Sequence, residues 1–117
     1  MKAQSAKAKG RRFQQEVAKL IRDIFDLPEE DVVSRSMGAS GSDIMLSQAA
    51  IDKFPFAVEC KNVERLNVWQ AFNQAEENSD ERLAPMLVIA RNRSRPLAVM
   101  DLQELLCLIW EAKQDDL

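Results

Sequence analysis

A glutamate and a lysine stand one residue apart within the apolar stretch FPFAVECKNV, residues 54–63. Side chains alternate between the two faces of a β-strand, so a strand here would direct Glu59 and Lys61 to the same side. A carboxylate in an apolar strand is costly unless it is paired or bound to a cation. The two residues therefore form either a structural ion pair or part of a reactive site.

A third charged residue, Asp43, follows a Ser/Gly-rich turn and opens the preceding predicted strand. If the two strands are neighbours, the carboxylates of Asp43 and Glu59 can reach one divalent cation, and such hard oxygen ligands suit Mg²⁺ or Mn²⁺. A lysine beside that cation can hold or help deprotonate an attacking water and offset charge on phosphorus. The three residues predict metal-dependent hydrolysis of a phosphodiester bond.

The composition excludes several other chemistries. The chain has no histidine, which removes Ser-His and Cys-His nucleophile pairs and His-bound metals. Its two cysteines lie far apart in apolar segments and predict neither a disulfide framework nor a zinc site. The net charge of −3 argues weakly against nucleic acid as a partner. However, basic residues gather in residues 1–25 and 91–95, so one face can still be positive towards phosphate.

The spacing of apolar residues predicts a mixed α/β domain with the element order αβββαββα. Helices are expected over residues 11–25 and 67–78 and from residue 101, with Asn67 as an N-cap. Strands are expected at 32–37, 42–47, 55–60, 85–91 and 96–100. Together they predict one central, mixed, five-stranded sheet flanked by helices.

The 117 residues predict a single domain over residues 11–117, preceded by a mobile basic arm at residues 1–10. No apolar run is long enough to cross a bilayer, and the first residues lack the hydrophobic core of a signal peptide. We therefore expect a cytoplasmic protein without a membrane partner. No small-molecule substrate is expected.

The strings GSDIML and FAVECKN together resemble the signature of the PD-(D/E)xK nuclease superfamily, which implies a restriction-endonuclease-like core. Over residues 10–100 the pattern is most similar to the small archaeal and viral Holliday junction resolvases. Those proteins have a glutamate in the first helix, a Ser/Gly-rich loop, an aspartate opening the second strand and Glu-x-Lys on the third. The corresponding strings are RRFQQEVAKL, SRSMGASGSD and VECK. The proline that often precedes the aspartate is Ser42 here.

The resemblance implies that Asp43 and Glu59 are metal ligands, assisted by the backbone carbonyl of Cys60, and that Lys61 positions or activates the water. Glu16 would contribute to the metal site, directly or through water.

Two of the implied residues have ordinary structural explanations. Glu16 could instead pair along the helix with Lys19 or Arg12, which stabilises a helix by tenths of a kcal/mol. Gln70 matches a helical glutamine beside the family's site, but helix capping explains it almost as well.

Contacts with DNA are expected in the loop before Asp43, where hydroxyls, backbone amides and a guanidinium could hold phosphates. The candidate residues, with two arginines of the basic N-terminal region, are Arg11, Arg12, Arg35, Ser36, Ser40 and Ser42. The alternative is that the loop is only a flexible hairpin turn.

The expected function is that of a Mg²⁺-dependent endodeoxyribonuclease that makes paired, symmetric nicks in four-way DNA junctions. The resemblance implies that a twofold dimer makes the two symmetric cuts, and the nearly all-apolar last helix, LQELLCLIW, offers a dimer surface. One alternative is a related nuclease for flaps, branched or single-stranded DNA. Others are a DNA-binding module without catalysis and an interaction domain in which Glu59 and Lys61 form an ion pair.

Overall fold

The computed structural model describes residues 3–36 and 38–115 of the chain. Met37, the last residue of the first predicted strand, lies outside this range. The elements follow one another as α1 (Ala3–Phe25), β1 (Val32–Ser34), β2 (Ile44–Leu46), α2 (Gln48–Lys53), β3 (Phe56–Asn62), α3 (Val68–Asn78), β4 (Ala84–Ala90), β5 (Leu97–Val99) and α4 (Leu102–Asp115). The α/β class is therefore confirmed, with α2 as an additional short helix.

Helix α1 is longer than its apolar pattern predicts. It begins at Ala3, within the stretch predicted to be a mobile arm, because the alanines and lysines there are good helix formers. The mobility of residues 1–10 stays a prediction. The buried face of α1 carries Phe13, Val17, Ala18 and Ile21, which pack in the main hydrophobic core.

The expected single sheet of five strands is wrong, since the strands form two sheets. Strands β1 and β2 make an antiparallel pair, and β3, β4 and β5 make a second sheet. Strand β2 stops after three residues because Ser47 caps α2, its hydroxyl accepting the amide of Ala50 at 3.1 Å. The backbone amide of Asp43 donates to the carbonyl of Val58 at 2.9 Å and so links the two sheets.

Strand β3 is covered on both faces. It pairs in parallel with β4, an arrangement that needs a crossover, here provided by α3. Helix α1 contacts β3, and α3 contacts β3 and β4, so residues 57–60 are buried without interruption. The predicted N-cap of α3 is confirmed, because the Asn67 side chain accepts the amide of Gln70 at 3.1 Å. A charged side chain in β3 is therefore held in the interior.

Helix α4 differs from the other long helices because none of its residues is buried. Strand β5 pairs antiparallel with β4 and leads directly into this helix. Within residues 3–36 and 38–115, no helix combines the length and apolarity that crossing a membrane requires.

Candidate active site

Asp43 is held against β3 by both its backbone and its side chain. Its backbone amide donates a hydrogen bond to the carbonyl of Val58, as described above. In addition, its carboxylate oxygen Oδ2 accepts a hydrogen bond from the backbone amide of Cys60 at 2.7 Å. The Asp43 carbonyl accepts the amide of Arg35 at 2.7 Å, which fixes the residue from the β1 side. Asp43 thus has little freedom to move away from the strand that carries Glu59.

Glu59 is buried, with 6% of its surface exposed. The side-chain amide of Asn78, at the end of α3, donates to its Oε2 at 3.0 Å. Burial raises the pKa of Glu59 from an ordinary 4.5 to about 7, and repulsion from the Asp43 carboxylate adds to the rise. The Asn78 hydrogen bond and the charge of Lys61 act in the opposite direction. The two carboxylates are therefore electrostatic neighbours in a poorly solvated place.

Lys61 lies two residues after Glu59, on the same face of β3, and is half-buried. Among the described residues the ion pairs are Lys19–Asp23 and Arg82–Asp80, so Glu59 and Lys61 do not form the structural pair that the sequence left open. Instead, Lys61 lines an open groove together with Gln70 of α3. The structure thus brings Lys61 and Gln70 to one side of the strand.

The donor atoms fit a small, hard cation. Within residues 3–36 and 38–115, no group of three or more His, Cys, Asp or Glu side chains is placed to hold a metal ion. Two carboxylates nevertheless suffice for Mg²⁺, which usually keeps several of its waters and binds through one or two carboxylates plus substrate phosphates. A cation would also relieve the repulsion between Asp43 and Glu59.

Glu16 is not brought together with these carboxylates. It is exposed on α1 and lines a separate cavity of about 430 Å³ with Arg12, Asn62 and Asn92. Its predicted role at the metal stays a prediction. Gln14 of α1 is buried instead, and its Oε1 has no hydrogen-bond partner among the residues that the structure describes.

Comparison with known proteins bears on this arrangement. A family model described as "Phage putative PDDEXK endonuclease" matches residues 5–116. The chain belongs to this family. No curated protein and no solved structure matches the chain. Membership supports the PD-(D/E)xK superfamily expected from the sequence, suggests nuclease activity and implies DNA as the substrate.

In this PDDEXK family member the loop before Asp43 is held in place by the side chain of Arg35. The Arg35 side chain donates through Nε to the carbonyl of Ser42 at 2.6 Å. Its guanidinium also lies over Gly41, where an added Cβ would come within 3.1–3.3 Å of it. Gly41 has a φ of +101°, which favours glycine for a second reason. Arg35 therefore shapes the loop, whatever else it contacts.

The remaining predicted DNA contacts are spread over two regions. Ser36 and Ser40 are exposed on the loop, and Ser42 is half-buried with its hydroxyl 3.5 Å from the carbonyl of Asn78. Arg11 and Arg12 are exposed on α1. The structure therefore places the serines beside Asp43 and Arg12 beside Glu16.

Sequence reasoning missed Asn78, which connects α3 to the buried Glu59. No local pattern marks it, since it is the last residue of a helix and its partner lies nineteen positions away. Trp69 and Trp110 stand among the apolar residues of α3 and α4, yet 83% and 66% of their surfaces are exposed. Since tryptophan is highly buried on average in folded proteins, these two indoles are available for contact with another molecule.

Proposed function

We propose that this family member is a Mg²⁺-dependent, structure-specific DNA endonuclease that resolves four-way junctions, with Mn²⁺ as a substitute metal. The observation that carries the proposal is the placement of a buried Glu59 beside Asp43, with Lys61 on the same face of β3. Such a site is costly to fold unless it serves a cation. Asp43 is fixed by hydrogen bonds to the backbone of Val58 and Cys60, which supports a preformed site.

Each residue of the proposed site has a distinct task. Asp43, Glu59 and the Cys60 carbonyl would hold the metal, which supplies Lewis-acid polarisation of the phosphate oxygen. Lys61, half-buried at the groove, would hold the water that attacks phosphorus and stabilise the developing negative charge. Asn78 would keep the Glu59 carboxylate oriented through its hydrogen bond.

The proposed substrate follows from size and symmetry. A domain of 117 residues has no room for an inserted module that reads base sequence, so DNA shape or a DNA end is the expected cue. Resolution of a four-way junction needs two symmetric cuts, for which a twofold dimer supplies two sites.

The surface area supports a dimer. The chain exposes 8355 Å², whereas a monomeric protein of 13.3 kDa exposes about 6,450 Å² by the usual scaling with mass. The excess of about 1,900 Å² is comparable with the surface that one chain buries in an obligate homodimer. The exposed apolar side chains of α4 are a suitable part of that interface: Leu102, Leu105, Leu106, Ile109 and Trp110. Sedimentation that gives only monomer at micromolar concentration would contradict the dimer.

The decisive experiment is cleavage of an end-labelled four-way junction in Mg²⁺, next to linear duplex, flap and single strand of matched sequence. We expect paired symmetric nicks in the junction alone, and loss of these nicks in Asp43→Ala. Asp52→Ala is the matched control, because Asp52 is an exposed aspartate of α2 that accepts only from Gln48 among the described hydrogen bonds. Cleavage of flap or single strand instead would retain the site and replace the substrate.

A nuclease for flaps or single strands is the second candidate function. It is favoured by one observation, the exposed Trp69 on the helix that also carries Gln70.

A further inference from the structure

An open groove of about 550 Å³ runs along α3 and begins at Lys61. Its lining includes Val63, Leu66, Gln70, Asn73 and Gln74. Glu77 also lines it, and the eight residues from Gln70 to Glu77 span about 10 Å of helix. The volume is within the range of sites that bind small organic groups.

The chemistry of the groove changes along its length. Lys61 supplies a positive charge at the end next to Glu59, which suits a phosphate. Beyond it, the side-chain amides of Gln70, Asn73 and Gln74 offer both donors and acceptors without charge. Uncharged amides of this kind match the edges of nucleobases, whereas a groove for a continuous phosphate backbone would be lined by lysine and arginine.

Trp69 lies on the same helix, although it is not one of the residues that line the groove. It is four residues before Asn73, so these two side chains are neighbours on the surface of α3. With 83% of its surface exposed, the indole contributes little to the core. It offers an exposed flat face next to the amide of Asn73.

We propose that the α3 groove binds an unpaired nucleotide of the strand that is cut, with its base stacked on Trp69 and its edge bonded by the neighbouring amides. The inference rests on the proposed nuclease function and adds a substrate feature, an unpaired base beside the cleaved bond. Such a base occurs at a distorted branch point. In a linear duplex each base is already stacked on its neighbours and its pairing edge is occupied, so it cannot use the indole and the amides together.

The test uses Trp69 as its own probe. In the variant Trp110→Phe, Trp69 is the one remaining tryptophan of the sequence. The full chain is titrated with oligothymidylate in EDTA, so that binding is followed without cleavage. We expect saturable quenching of Trp69 fluorescence by the oligonucleotide and weak or no quenching by a blunt duplex at equal nucleotide concentration. Equal quenching by the duplex would overturn the proposal.

A second measurement separates stacking from mere proximity. Anisotropy of a labelled oligothymidylate should report binding that is about 5- to 150-fold weaker in Trp69→Ala, the loss expected for one stacked base. Ile24→Ala, which removes an exposed apolar side chain of α1, is the matched control and should bind like the wild type. Because Trp69 is exposed, thermal denaturation should show both variants folded. Unchanged affinity of a folded Trp69→Ala would overturn the proposal.

The outcomes also distinguish this inference from the nuclease function on which it rests. If wild-type protein cleaves DNA in Mg²⁺ but oligothymidylate leaves Trp69 fluorescence unchanged, the groove proposal fails and the nuclease proposal remains. If oligothymidylate binds through Trp69 and no DNA is cleaved in any metal, the groove proposal is supported and the nuclease proposal fails.

Discussion

Strand β3 and helix α4 differ in which kind of side chain they bury and which they expose. In β3 the charged Glu59 is buried between α1 and α3. In α4 a run of leucines, an isoleucine and a tryptophan is exposed, and no residue is buried. Burying a carboxylate and exposing an apolar helix are both unfavourable in an isolated monomer. The proposed cation at β3 and the proposed second chain at α4 would each offset one of these costs.

The largest expected effect concerns the cation. Asp43→Asn keeps an oxygen that can accept the Cys60 amide but removes the negative charge. We expect cleavage in Mg²⁺ to fall at least about 100-fold, as for loss of a group that stabilises the transition state. Mg²⁺ at ten times its Kd should raise the Tm of the wild type by about 5 °C and leave that of Asp43→Asn unchanged. An equal rise in both proteins would contradict a role for Asp43 in metal binding.

The cost of burying Glu59 can be measured directly. The raised pKa of about 7 means that, without divalent metal, the folded protein binds this proton more tightly than the unfolded chain. The contribution of Glu59 to stability is therefore full below pH 4.5 and lost as the pH rises through 7, by about 3 kcal/mol in total. Urea denaturation in EDTA should show this decline.

Glu59→Gln is the control for that decline, because a glutamine oxygen can still accept from Asn78. Its free energy of unfolding should lack the part of the pH dependence between 4.5 and 7 that belongs to Glu59. Identical pH profiles for the two proteins would show that Glu59 ionises as freely as in the unfolded chain.

The other side of the comparison is tested on α4. The pair of substitutions Leu106→Glu and Ile109→Glu places two charges on the proposed interface, and we expect the dimer to dissociate at least about 100-fold more readily. Sedimentation measures the effect. Ile24→Glu, at a residue of α1 with 68% exposure, is the matched control and should leave the dimer intact. Equal association of both variants would exclude α4 from the interface.

The smallest expected effect is at Gln14. Its buried Oε1 has no partner within residues 3–36 and 38–115, so Gln14→Leu should raise the free energy of unfolding in EDTA by about 1 kcal/mol. Gln15→Leu, at the exposed neighbouring position, should change it by less than about 0.5 kcal/mol. A loss of stability in Gln14→Leu alone would indicate that Gln14 has a polar partner.

The sequence was informative where local periodicity decides the outcome. The alternation of side chains along a strand predicted that Glu59 and Lys61 share one face. The turn before Asp43 predicted that Asp43 opens the adjacent strand, next to the strand that carries Glu59. The cap at Asn67 was likewise predictable, because its bond to Gln70 spans only three residues.

Long-range packing explains what the sequence could not predict. Leu20 and Ile24 are apolar residues of α1, but both are exposed, and the buried face of the helix is rotated away from them towards Gln14 and Ala18. That rotation is set by the strands that α1 meets, and it leaves Glu16 outside.

The division of the strands into two sheets also depends on contacts between residues that are far apart in the sequence. Strand β2 does not continue alongside β3 because α2 begins directly after it, at Gln48. The apolar pattern of that segment favours neither a helix nor a strand. The expectation of five strands in one sheet therefore failed at a single connection.

Asp43 stands at that connection. It directly precedes β2 of the smaller sheet, whereas Glu59 lies in the larger sheet, and the backbone hydrogen bond from Asp43 to Val58 joins the two sheets. Because the Asp43 carboxylate also accepts the amide of Cys60, the smaller sheet could not shift away from β3 at this point without breaking both hydrogen bonds. If the two carboxylates hold a metal ion as proposed, their separation is therefore set by the fold before any DNA binds.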